Sequence, residues 1–409
     1  MVNKFKLIFI ITIITSLPIG CNIVGSSDKE GSTNKNPPIS EQNPIKEQIG
    51  KMSLDEKIGQ MMIVGFDGYT ADEGIKEIIE KYHPGGVILF KRNIKDGNQL
   101  LSLLNELKSI NSSNEIPLFL SIDEEGGKVS RLPDEFDKIP SSETIGQVNN
   151  EDLSYNIGKI LGRKLKALGF NMDFAPVLDI NSNSENPIIG DRAFGDNAEI
   201  VTKLGIETMR GIQSEKVISV VKHFPGHGDT SEDSHIGLPR VDNDLSRLES
   251  LELIPFKEAI NNGVDAVMIA HILMSEIDPE KPASMSRTII SDILRNRLNF
   301  NKIIITDDMT MGAILDNYNI GDAAVQSINA GIDIVLVCHG YDNEITVIKA
   351  VKEAVKNDII SEERIDESVY RILSLKEKYN INDNIIDSIN TRAINDSIRS
   401  LLEKYISPF

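Results

Sequence analysis

The 409-residue chain has no tryptophan, and aromatic residues make up only 5% of it, so recognition does not rest on a broad aromatic platform. Cysteine is almost absent. Cys21 and Cys338 lie in unlike surroundings, which excludes a disulfide framework. Positive charge is scarce: 43 Lys and Arg face 62 Asp and Glu, a formal charge of −19. A nucleic-acid partner would require a basic face that this composition does not favour. Long apolar runs are also missing, since Leu7 to Ile14 is too short to span a bilayer. What is there, 40% hydrophobic and 26% charged residues, is globular. It is enough chain for one large α/β domain or two ordinary ones.

Lys4 and Lys6 precede the apolar stretch, and Leu17-Pro18-Ile19-Gly20-Cys21 follows it. The segment resembles a bacterial lipoprotein signal, with Pro18 where such signals usually carry Leu. The resemblance implies cleavage before Cys21, lipidation of that residue and anchoring to the outer face of the cytoplasmic membrane. The expected organisation is a signal peptide over 1–20, a Ser-, Asn-, Gly- and Pro-rich flexible tether over 21–45, a folded body over 46–380 and a helical extension over 381–409. Within the extension, Ile394, Ile398, Leu401, Leu402 and Tyr405 recur at helical spacing, as expected of a helix packed on the body.

The body opens with the capping-box pattern Ser53-Leu54-Asp55-Glu56. Eight short apolar runs then alternate with helical stretches: 61–66, 86–90, 118–122, 171–178, 218–221, 266–270, 303–306 and 332–337. Each run is uniformly apolar, as expected when both faces of a parallel sheet are covered. Eight β/α units predict an α/β fold of the (β/α)8 TIM-barrel type, with a doubly wound open sheet as the alternative. Cys338 ends the last run and reads as a buried thiol.

Reactive residue types gather behind the predicted strands, the face on which barrels build active sites. Asp123-Glu124-Glu125-Gly126-Gly127 and Arg131 follow the third run, and Asn186 to Arg192 the fourth. Lys222 to Thr230, then Asp233-Ser234-His235, follow the fifth. His271 follows the sixth and Asp307-Asp308 the seventh. His223 and His227 are four apart, as two metal ligands on a helix would be, but Pro225 and the flanking glycines argue for a loop. Asp233 and His235 are two apart and share a face if extended; the carboxylate would then orient the imidazole as a general acid/base, unless Asp233 merely caps a turn. Of the Asp307-Asp308 pair at most one should face the barrel mouth, as stabiliser, base or nucleophile. A helix N-cap suits Asp308 better. Lys222, His223, Arg131, Arg192 and Asp123 are suited to holding hydroxyls.

The run Lys222-His223-Phe224-Pro225-Gly226-His227-Gly228-Asp229-Thr230 with Asp233-Ser234-His235 closely resembles the signature of the β-N-acetylhexosaminidase branch of glycoside hydrolase family 3. Asp123–Gly127, Arg192 in Gly-Asp-Arg-Ala-Phe-Gly and Thr306-Asp307-Asp308-Met309 fit in the same order, over roughly residues 50–375. The resemblance implies Asp307 as nucleophile, His235 as acid/base with Asp233 as its partner, and Asp123, Arg131, Arg192, Lys222 and His223 around a terminal N-acetylglucosamine (GlcNAc). It further implies retention of the β configuration, with water or phosphate as acceptor, and peptidoglycan fragments or other GlcNAc oligosaccharides as substrate. No metal and no organic cofactor is expected. A β-glucosidase or broad β-glycosidase, a non-catalytic sugar-binding lipoprotein and a metal-dependent hydrolase are the competing readings.

Overall fold

The computed structural model folds this alternation into a closed barrel of eight parallel strands. It describes residues 43–406 apart from Glu232, Asp233, His235 and Ile236. The expected signal peptide, Cys21, nearly all of the tether, and the Asp233–His235 pair therefore lie outside the described residues. The strands are β1 (Met62–Gly65), β2 (Gly86–Leu89), β3 (Phe119–Ile122), β4 (Met172–Asp173), β5 (Ile218–Phe224), β6 (Arg240–Val241), β7 (Ala266–Ile269), β8 (Leu273–Met274), β9 (Ile303–Asp308) and β10 (Ile334–Val337). Around the barrel they run β1, β2, β3, β4, β5, β7, β9 and β10. Pairing of Ile63 with Leu336 closes the ring, while β6 and β8 form a small sheet of their own. The barrel strands are buried along almost their whole length, because side chains on one face fill the interior and those on the other meet the helices.

Two strands differ most from their expected spans, each for a local reason. The fourth run was expected over 171–178, but ladder pairing stops at Asp173, short of Pro176, which has no N–H to give. Its chain still follows the barrel, through a bridge from Val177 to Lys222 and a 2.6 Å bond from Leu178 N to Lys222 O. β5 instead runs three residues past its expected end, carrying Lys222 and His223 within the strand.

Helices form over Glu73–Tyr82 and Gly97–Ile110, in two of the stretches between apolar runs, each started by an aspartate whose side chain accepts a first-turn amide. The Ser53–Glu56 capping box forms as the pattern predicts. A helix over Pro44–Lys51, capped by Asn43, begins inside the stretch expected as tether. At the other end Thr391–Tyr405 is helical and buries Ile394, Ile398 and Leu401, packing on the helix Glu151–Leu168.

Candidate active site

The C-terminal ends of the strands enclose a cavity of about 220 Å3, and Asp123, Arg131, Arg192, Lys222, His223 and Asp307 all line it. The turn after β3 makes its floor. Gly126 and Gly127 adopt φ of 88° and 56° there, and a Cβ on Gly127 would lie 2.9 Å from Ser141 Cα, so glycine is required for the turn to close. The turn sends its three acidic side chains in different directions. Glu124 points away and organises the loop, accepting from Lys164 Nζ (3.1 Å), Ser130 Oγ (2.8 Å) and Arg131 N (2.8 Å). Asp123 and Glu125 face the cavity.

These two carboxylates join two cations in a buried cluster. Lys222 Nζ donates to Asp123 Oδ1 at 2.6 Å and lies 2.8 Å from Glu125 Oε1. Arg192 grips Glu125 with two parallel bonds of 2.9 and 2.7 Å, the geometry that suits guanidinium to carboxylate. Burial alone would raise the Glu125 carboxyl pKa, but the Arg192 and Lys222 charges outweigh it and hold it well below the ordinary range. Burial likewise works against charged Lys222, and Asp123 and Glu125 reverse that, raising its pKa. Glu125, Lys222 and Arg192 are therefore ionised at neutral pH. Arg131 stands at the edge with a guanidinium nitrogen 4.0 Å from Asp123 Oδ2; its Nε is buried with no partner among the described residues.

His223 is fixed from behind. Its Nδ1 lies 2.6 Å from Asp179 Oδ2, and its Nε2 lies 3.4 Å from an Arg192 nitrogen on the cavity side. Asp179 Oδ1 also accepts His227 N at 2.6 Å, so one buried carboxylate holds the ring of His223 and the backbone of the loop beyond it. That loop lies tight on the segment after β4: a Cβ on Gly228 would fall 1.6 Å from Ile180 O. Asn186 spans the same junction, donating to His227 O (2.9 Å) and Thr230 Oγ1 (3.2 Å). His227 is buried between Thr230 Oγ1 (2.8 Å) and Ser234 Oγ (3.3 Å). Burial, reinforced by the neighbouring His223, lowers its pKa to about 4 and keeps it neutral. His223 at the end of β5 and His227 in the loop beyond it are thus both engaged in hydrogen bonds. Among the described residues no group of three or more His, Cys, Asp or Glu is arranged to hold a metal ion.

Asp307 and Asp308, at the end of β9, both border the cavity, although alternation along the strand predicted one. Their surroundings separate them. Asp307 accepts only Asp308 N (2.8 Å) among the described residues. Burial pushes its pKa up, and its interactions with the nearby His223, His271, Asp308 amide and Lys222 more than offset this, so it is lowered. Asp308 is consumed by structure: its carboxylate accepts Thr310 N (2.9 Å), Thr310 Oγ1 (2.7 Å) and Cys338 N (3.0 Å). It is not the expected helix N-cap, since the following helix Gly312–Leu315 starts at Met311 with no side-chain cap. His271 is also structural, bridging Ser284 Oγ (2.7 Å) and the Asp308 carbonyl (3.0 Å). Cys338 is buried and free, as its place at the end of an apolar run predicts.

Two residues central to this geometry, Glu125 and Asp179, were not among those singled out in the sequence. Glu125 lay inside the noticed acidic turn, but only the fold shows which of three carboxylates faces inward. Asp179 directly follows the apolar run ending at Leu178, and that position was the available signal.

Comparison with known proteins gives a consistent picture. Residues 53–375 match the glycosyl hydrolase family 3 N-terminal domain. The chain is 34% identical over 333 residues to a beta-hexosaminidase A of Pseudoalteromonas piscicida, covering 76% of this chain and 56% of that relative; it thus spans little more than half of that protein. It is 34% identical over 310 residues to a beta-hexosaminidase of Nitrosomonas eutropha, covering 73% and 88% of the two chains. A solved family 3 beta-N-acetylglucosaminidase from Paenibacillus superposes with a TM-score of 0.83 at 41% identity, over 87% of this chain and 69% of that one.

Proposed function

The chain belongs to glycosyl hydrolase family 3, and from that premise we propose that it is a retaining exo-β-N-acetylglucosaminidase releasing the terminal non-reducing GlcNAc of peptidoglycan fragments. The observation that carries this reading is the charged cluster lining the cavity. Asp123, Glu125, Lys222 and Arg192 form a fixed hydrogen-bonding surface there, and the sparsely bonded Asp307 lines the same cavity. A dense set of charged donors and acceptors in a small cavity fits a single sugar ring.

In the proposed reaction the Asp307 carboxylate attacks C1 while His235, partnered by Asp233, gives its proton to the leaving oxygen. The C1–O bond to the leaving group breaks and an ester between C1 and Asp307 forms. His235 then takes a proton from water, whose oxygen attacks C1 and frees Asp307, so the β configuration is retained. The lowered pKa of Asp307 keeps it anionic, as a nucleophile requires. We assign the enzyme to the outer face of the cytoplasmic membrane, held by lipid on Cys21; the support is the sequence of residues 1–21.

The test is release of 4-nitrophenol from its β-GlcNAc glycoside, with the β-glucoside as comparison and a chelator present. Turnover of the GlcNAc substrate that collapses in Asp307→Ala supports the reading. An undiminished variant removes Asp307 from the nucleophile role, preference for the glucoside moves the assignment to a β-glucosidase, and no turnover by a folded sample moves it to a binding protein. Running the assay in phosphate and measuring GlcNAc 1-phosphate separates phosphorolysis from hydrolysis.

A further inference from the structure

The residues following β2 and β10, Phe90 and His339, also line the cavity. Among the described residues that line it, His339 is the one left exposed, over 52% of its side chain. Its ring is not loose. It stacks on Phe90 with centroids 5.6 Å apart and planes 29° from parallel. Phe90 carries the Arg92 guanidinium 4.4 Å from its ring centre. Arg92 in turn donates to Phe66 O (3.2 Å) and Cys338 O (2.7 Å), so it ties the ends of β1 and β10 to β2. The result is a braced stack of three planar groups whose outermost member is half in solvent. The His339 Nε2 also lies 3.7 Å from Asp308 Oδ2 on the neighbouring strand β9.

We propose that His339, supported by Phe90, is the platform on which the first sugar of the leaving group stacks. The proposal rests on the exo-glycosidase reading above. If the terminal sugar occupies the charged cluster, the rest of the substrate must extend towards solvent, and His339 is the flat, exposed group lining the cavity. A sugar ring presents a face of C–H groups that packs against an electron-rich aromatic face. Burial against its neighbours, with the Arg92 charge, holds the His339 pKa below its ordinary value and so keeps the ring neutral. In a chain with no Trp and few aromatics, one rigid stacked pair takes the place of a broad platform.

The experiment compares two substrates that differ only in how far they reach. N,N′-diacetylchitobiose places a second sugar beyond the bond to be cleaved, while GlcNAc β-fluoride has a leaving group too small to reach His339. For the wild type and His339→Ala, the ratio of kcat/KM for chitobiose to kcat/KM for the fluoride is measured. The ratio is expected to fall about fivefold in His339→Ala, mainly through the chitobiose KM, and to recover at least halfway in His339→Phe. A ratio within twofold of wild type in His339→Ala overturns the platform, as does a His339→Phe variant no better than alanine. A wild-type enzyme that turns over neither substrate overturns the glycosidase reading itself, and this inference with it.

Discussion

Glu125 takes two bonds from Arg192 and one contact from Lys222 at a site closed to solvent. Changing it to Gln keeps the shape and removes the charge, leaving two cations to share Asp123. Breaking a buried ion pair by removing one partner costs about 3–5 kcal/mol, so Glu125→Gln should lower stability by about 3 kcal/mol in urea unfolding. A loss below about 1 kcal/mol would mean that water screens the cluster. Asp179 acts differently, through His223. In Asp179→Asn the amide can still bond to His223 Nδ1 but no longer favours the same proton placement. We expect kcat to fall about 10- to 100-fold, the loss typical when a histidine's orienting partner is removed. A kcat within threefold of wild type would show that the ring is fixed by packing alone. The two residues also mark where the sequence stops being readable. Asp123, Lys222, His223 and Asp307 stand at strand ends, Arg131 and Arg192 in the loops beyond them, and all could be picked out by residue type. Asp179 also follows an apolar run, but its role depends on a histidine 44 residues away, and that pairing is not written in any local pattern.

At the scale of elements, the chain from His223 at the end of β5 through the loop to Ser231 is held chiefly by buried polar contacts. Asn186, Asp179 and Thr230 supply them, with His227 at the centre. His227 links this loop to pH. Its pKa is about 4 in the folded chain against 6.5 for an unperturbed histidine. As pH falls from 6.5 towards 4 the unfolded chain takes up a proton that the native state refuses. Stability is therefore full above pH 6.5 and drains away through that window, at up to about 1.4 kcal/mol per pH unit. His271, whose pKa burial also lowers, adds in the same direction. Unfolding free energies at pH 7.5 and 4.5 should differ less in His227→Asn than in wild type. An equal difference would mean that His227 titrates alike in both states. The same loop explains which elements were legible. Uniform apolar runs and capped helices announce themselves locally. The ends of β4 and β5 do not, because a proline that stops one ladder and a polar Lys-His pair that continues another are decided by the neighbouring strand.

Across the whole molecule, the C-terminal helix reaches the active-site wall from outside. Asn395 accepts Asp137 N (2.9 Å) and donates to Glu135 O (2.8 Å), while Arg399 pairs with Asp137 at 2.7 Å. Asp137 and Glu135 belong to the same loop as Arg131, whose near end is already tied to Lys164 through Glu124. The loop is thus clamped at one end by a buried pair and at the other by an exposed one. Exposed pairs contribute little stability, with a median of about 0–1 kcal/mol, so the outer clamp matters for position more than for folding. The double variant Asn395→Ala, Arg399→Ala should shift Tm by about 2 °C at most. It should nevertheless raise KM for the aryl GlcNAc substrate about threefold, because Arg131 loses its fixed approach to Asp123. Removing the helix from Thr391 onward is a harsher change. It strips cover from Ile394, Ile398 and Leu401 and from the Glu151–Leu168 surface beneath them, a loss of several kcal/mol at roughly 1.5–3 kcal/mol per buried side chain. Were the double variant to show wild-type KM, the Glu124–Lys164 pair alone would set the loop, and the extension would serve stability only. A raised KM at nearly unchanged Tm would make the far end of the chain part of the binding site's architecture.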